Sequence, residues 1–207
     1  MNLKLYTKPG ACSLADHIAL RWAGLPFELV IVDLATMKSP EYMALNPAGA
    51  VPLLTDGDWA LTQNAAILGY IAALAPEAAI DGGSDLRTRA EVARWLAFAN
   101  ADVHPSFMPM FGATRYLEDE AVIAKTQEHA RTKLRGLYQR ANAQLEANEW
   151  IAGTAKPSIA DAYLYVTLRW ARGVKVDLDG CQALDRFQAR MEADAGVQQA
   201  LKAEGLA

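Results

Sequence analysis

The chain has 207 residues, is 52% hydrophobic and carries a formal net charge of −4. That length and apolar content support one large domain or two small ones, each with a packed core. The net acidity, with no long or clustered run of Lys and Arg, leaves nothing to neutralise a row of phosphates and argues against nucleic acid as a partner.

The first eighty residues alternate short β-like runs with helical patterns, the mark of an α/β unit. Leu3 to Tyr6 reads as a strand, Lys8-Pro9-Gly10-Ala11 as a turn, and a helix is expected to begin around Cys12-Ser13 with Ser13 as its cap. Phe27 to Val32 reads as a second strand, and Ser39-Pro40-Glu41 opens a short helix that stops before Asn46-Pro47-Ala48-Gly49. Val51 to Leu54 and Trp59 to Leu61 read as two strands joined by the turn Asp56-Gly57-Asp58. Pro52 has no N–H for a ladder and belongs at a strand's start or edge. From Asn64 a helix runs through Ile67, Leu68, Ile71 and Leu74 on one apolar face.

Residues 76 to 85 are the best linker candidate, because Gly82-Gly83 interrupts any helix and the pattern changes afterwards. The expected division is a first domain over 1–77 and an all-helical one over 86–207. In the second, Leu134, Leu137, Tyr138, Ala141 and Leu145 mark the inner stripe of one helix, and Ile159 to Ala171 is apolar nearly all round, as a central buried helix would be.

The opening ten residues lack the features of a secretory signal, and no apolar run reaches the roughly 18 residues of a membrane span. The expected location is cytoplasmic, with no membrane partner. Cys12 and Cys181 lie in different regions and are expected to be free thiols, and the three histidines show no metal-ligand spacing.

Cys12 is the sharpest candidate for chemistry, because a helix N-terminus stabilises a thiolate and lowers a cysteine pKa. The competing reading is a small buried hydrophobe. The hydroxyls of Tyr6 and Ser13 can also donate to a bound thiolate, against plainer roles as a core aromatic and a helix cap. Ser158-Ile159-Ala160-Asp161 fits a capping box, a structural role. Asn100, Asp102 and His104 gather where a helical stretch is expected to break at Pro105, with Asn100 and His104 on one face. Trp170 and Phe111 read equally as pocket walls or as core.

Tyr6 through Arg21, then Asn46-Pro47-Ala48-Gly49-Ala50-Val51-Pro52, then Ser158 through Leu164 resemble the bacterial beta-class glutathione S-transferases, and the similarity runs the length of the chain. The resemblance implies an α/β thioredoxin-like N-terminal domain, an all-α C-terminal domain and a homodimer. It implies that Cys12 faces the glutathione sulfur and that Pro52 is cis, with the backbone of Val51 pairing with the cysteinyl unit. By the same resemblance Gln63 and Asn64 hold the γ-glutamyl carboxylate, His104 lies near the sulfur, and Asp102 reaches the γ-glutamyl amine across the dimer. Phe111 and Trp170 shape the second-substrate pocket. The implied activity is conjugation of glutathione, the co-substrate, to small apolar electrophiles, with no metal. Thiol-disulfide exchange through Cys12, and ligand binding without catalysis, are the alternatives.

The chain departs from the beta-class pattern at Met37, Ala50, Gln63, Asn64 and Pro105, each of which replaces a charged or polar group that contacts glutathione. Lys38, beside Met37, is the available substitute for the glycine carboxylate.

Overall fold

The computed structural model describes the chain from Met1 to Ala207. β1 (Leu3–Thr7), α1 (Ser13–Ala23) and β2 (Phe27–Ile31) form a parallel β-α-β unit in which Leu3 pairs with Phe27 and Thr7 with Ile31. After α2 (Pro40–Leu45), the strands β3 (Leu53–Asp56) and β4 (Trp59–Thr62) join antiparallel, giving the order β2-β1-β3-β4, and α3 (Asn64–Leu74) follows.

Alternation along β1 divides its side chains between two faces. Leu3 and Leu5 join α1 and α3 in the main core, while Tyr6 packs edge-on to Tyr42 of α2, beside Val32, Met37 and Leu53. β3 starts at Leu53 rather than at the expected Val51, because Pro52 has no N–H to give the ladder. Val51 therefore lies in the preceding loop, and the Val51–Pro52 peptide is cis.

The helical part contains α4 (Leu86–Ala97), α5 (Glu120–Ala147), α6 (Ile159–Gly173), α7 (Gln182–Ala193) and α8 (Ala195–Ala203). Asp85 caps α4 by accepting the Thr88 N–H at 2.8 Å. On α5, Leu134, Tyr138, Ala141 and Leu145 are buried as the stripe requires. α6 is buried on every side from Ile159 to Leu168 and begins with the expected capping box. There Asp161 Oδ2 accepts both the Ser158 N–H (2.8 Å) and the Ser158 hydroxyl (2.7 Å), and Oδ1 accepts the Ile151 N–H (2.8 Å).

The segment between α3 and α4 is not a slack tether. Ile80 is only 4% exposed, and its carbonyl accepts the Ile159 N–H at 2.9 Å, which ties the segment to the start of α6. α1 packs on α3, α6 and α8, so a single apolar core runs from Leu3 and Leu5 of the sheet through Tyr163 of α6 to Phe187 of α7. No helix is long and apolar enough to cross a membrane.

The helical stretch ends at Ser106, one residue past Pro105, close to where the break is expected. α4 continues as a π-helical turn over Phe98–Val103 and then a last α turn, His104–Ser106. Pro105 supplies no N–H, and the helix stops one residue later, the chain continuing as turns from Phe107.

Candidate active site

The loop from β1 to α1 delivers Cys12 to the crevice between the sheet and the helical part. Gly10 lies at the loop's bend with φ +73°, a conformation that favours glycine. Its carbonyl accepts the Trp170 indole N–H at 2.8 Å, and its N–H donates to the Glu204 carboxylate at 3.1 Å. Both backbone polar groups of Gly10 are thus held by the helical part.

Cys12 occupies the cap position of α1, one residue earlier than expected, and is 9% exposed. Ser13 consequently turns inward: its hydroxyl is buried and shares a 2.7 Å hydrogen bond with Thr7 Oγ1. It is neither the cap nor a donor to the crevice. Tyr6 is likewise committed to the far face of the sheet, against Tyr42.

The Cys12 thiol donates to the Val51 carbonyl at 3.7 Å, and Asn64 Nδ2 donates to the Cys12 carbonyl at 2.8 Å. Its acidity runs opposite to the expectation for a helix start. Burial, followed by the neighbouring Asp16 carboxyl, pushes the thiol up to about 12 against the lowering effect of Asn64 and the amides of Cys12 and Ser13. At neutral pH Cys12 is a neutral thiol and a hydrogen-bond donor.

His104 faces it from the last turn after the π segment. Its Nδ1 lies 2.6 Å from the hydroxyl of Tyr163, which is fully buried on α6. In the tautomer in which the hydroxyl donates, Nδ1 accepts and Nε2 carries the imidazole proton. Burial also lowers the His104 pKa, which keeps the ring neutral. Neither expectation singled out Tyr163. A buried tyrosine needs a hydroxyl partner, which is the signal that points to it.

Two cavities meet here. The first, about 310 Å³, is lined by Cys12, Val51, Pro52, Gln63, Asn64 and His104, together with Asn100 and Tyr163. Gln63 sits where β4 hands over to α3, with φ 74° and ψ 112°, a strained backbone for a residue with a side chain. Asn64 is buried, with Oδ1 unpartnered and Nδ2 spent on Cys12. The Val51 N–H has no acceptor within the chain.

The second cavity, about 570 Å³, is lined by Cys12, Val51, His104, Met110, Phe111 and Trp170, with Lys8 and Arg115. Trp170 stands edge-on to His104 (4.8 Å), Phe107 (5.5 Å) and Phe111 (5.3 Å), forming an aromatic wall.

Three residues singled out in the sequence lie outside both cavities. Asp102 is exposed and lines neither cavity, because the π turn points it outward. Met37 is buried beneath α2, and Lys38 donates to the Gly49 carbonyl at 3.4 Å rather than facing the first cavity. Ala50 and Pro105 do line that cavity.

A thioredoxin-like sheet that sets a cysteine beside a cis-proline loop, closed by a helical domain carrying an aromatic pocket, defines a two-domain thiol-handling protein. Family models for the glutathione S-transferase N-terminal and C-terminal domains match residues 1–73 and 102–194. The chain is 62% identical over 204 residues to glutathione S-transferase GST-4.5 of Xanthomonas campestris pv. campestris, covering 99% of this chain and 100% of that one. Among solved structures, a glutathione S-transferase from Xylella fastidiosa matches with TM-score 0.97 and 58% identity over 100% of both chains. A beta-class enzyme from Sphingomonas chungbukensis and a sphingomonad glutathione S-transferase complexed with glutathione each match with TM-score 0.86 and 36% identity, over 99% of this chain and 100% of theirs. The chain belongs to the glutathione S-transferase family, and its structural neighbours include the bacterial beta class.

Proposed function

We propose that this chain binds glutathione in the first cavity and transfers its sulfur to a small apolar electrophile in the second. The observation that carries the reading is the meeting of the two cavities at Cys12, Val51 and His104. A sulfur at that junction touches both compartments. Once the neutral Cys12 thiol turns from the Val51 carbonyl to that sulfur, it and the His104 Nε2–H are two donors to it, each worth about 1.5–3 kcal/mol to an anionic acceptor. They favour the thiolate over the thiol. The sulfur forms its bond to the electrophilic carbon, the leaving group departs with its electron pair, and the thiol proton passes to water.

The unpartnered Val51 N–H suits the backbone of the cysteinyl unit, in the manner of an added strand. Gln63 and Asn64, with the free amides of the first turn of α3, suit the γ-glutamyl carboxylate. Phe111 and Trp170 would wall the electrophile. Asp102, exposed beyond both cavities, would act across a homodimer on the γ-glutamyl amine of the neighbouring protomer. The free state of Cys12 and Cys181 suits the reducing cytoplasm. Thiol-disulfide exchange through Cys12 fits less well, because a thiol pushed up to about 12 offers little thiolate for attack.

Calorimetry with glutathione, followed by an aryl-halide conjugation assay on the same sample, tests the reading. Binding with turnover supports it. No binding at millimolar glutathione would mean that the departures at Gln63, Asn64 and Ala50 have disabled the site, leaving a ligand-binding protein. Exchange activity abolished in Cys12→Ser while conjugation stays absent throughout would favour the oxidoreductase reading.

A further inference from the structure

The second cavity contains a charge pattern that an apolar electrophile does not use. Of its 11 lining residues none is acidic, yet Lys8 and Arg115 both stand on its wall. Neither has a carboxylate partner within the chain.

Arg115 is also placed by the local backbone. It follows Phe111 by four residues in a tight turn in which its N–H donates to the Gly112 carbonyl at 3.1 Å. Gly112 has φ +93°, and a Cβ there would lie 3.0 Å from Arg115 Nε and 3.3 Å from Cδ and Cζ. The missing side chain lets the guanidinium lie across the turn, on the same loop as Met110 and Phe111. Arg115 is exposed on the cavity wall, and a neutral ring beside it offers the guanidinium no partner. A carboxylate would give it a bidentate, charge-assisted partner.

Resting on the transferase reading, we infer that the second-substrate pocket selects aryl electrophiles bearing a carboxylate, with the ring against Trp170 and Phe111, the carboxylate on Arg115, and Lys8 as a second point charge. Arg115 is then a specificity residue for the class of substrate. The bonds made and broken are unchanged: the glutathione sulfur bonds to the ring carbon, halide leaves with the electron pair, and the carboxylate stays intact.

A chlorodinitrobenzoate and its methyl ester separate the two demands, since they share ring, leaving group and size. The readout is kcat/KM for each at saturating glutathione, divided by its uncatalysed rate with glutathione, and taken as a carboxylate-to-ester ratio. The wild-type ratio should favour the carboxylate by about tenfold and fall with added salt. Arg115→Gln should remove most of that preference, Arg115→Lys should keep part, and Lys8→Gln should reduce it by less. A wild-type ratio near one, or a ratio unmoved by Arg115→Gln, overturns the inference while ester turnover leaves the transferase reading standing. Absence of glutathione binding by calorimetry overturns both. Should Arg115→Gln fail to fold, the wild-type ratio and its salt dependence decide alone.

Discussion

Alkylation of Cys12 by iodoacetamide in the free protein should climb steadily with pH and show no plateau up to about pH 10. Burial, with Asp16 second, carries the thiol from its ordinary 9.0 to about 12. That difference leaves about one thousandth of the usual thiolate at any pH below 9. Restricted access slows alkylation at every pH alike, so the position of the inflection carries the information and the absolute rate does not. Peptide mass spectrometry resolves Cys12 from Cys181, and a short peptide with the same cysteine supplies the reference inflection. Asp16 is fully buried with both oxygens unpartnered, so Asp16→Asn should bring the Cys12 inflection down while leaving it above the peptide's, burial being the larger cause. The same shift has a consequence for stability. The folded state holds its thiol proton longer than the unfolded chain does, so this group's contribution falls as pH rises from 9 toward 12. An inflection below about 8.5 would refute the reasoning, by showing that the helix end outweighs burial.

Ser158→Ala removes the 2.7 Å bond to Asp161 inside a buried cap and should lower stability by about 1–2 kcal/mol in urea unfolding, with kcat/KM unaffected. Tyr163→Phe takes the donor from His104 Nδ1, and turnover should fall by about tenfold while the acid limb of the pH–rate profile moves to higher pH, because a freed Nδ1 accepts a proton more readily. An unmoved acid limb would place the tyrosine in packing alone. Gln63→Gly relieves a backbone at φ 74° and should gain about 1 kcal/mol in unfolding. Calorimetry on the same variant should show weaker glutathione binding, since a side chain is lost from the first cavity.

Elements governed by a few adjacent residues were legible in the sequence. Ser39-Pro40 caps α2, Gly57-Asp58 turns β3 into β4, and Ser158 with Asp161 starts α6. Each rests on local chemistry that the folded context did not overrule. Cys12 and Ser13 show where that logic stops. Cap preference pointed to Ser13, but the register is one residue earlier, which buries the serine on Thr7 and turns the cysteine to the crevice. The thiol's acidity then follows burial and Asp16, neither of which a position in sequence reveals. His104 was visible as a candidate, but its partner Tyr163 lies 59 residues away on another helix. Which face of α6 meets the crevice depends on packing and on the π turn that precedes Pro105. The same holds for Arg115, whose placement depends on an open turn at Gly112 and on a pocket that only the assembled domains create.

In the proposed complex two neutral donors, Cys12 and His104, hold the glutathione sulfur as a thiolate. Titrating the ultraviolet thiolate absorbance of the glutathione complex against pH tests that claim most directly. The bound thiol should ionise below the usual value of about 8.5, with the midpoint rising part of the way back in Cys12→Ala and in His104→Ala. A bound thiol that titrates as it does in free solution, or a complex that accumulates only as a mixed disulfide on Cys12, would contradict it.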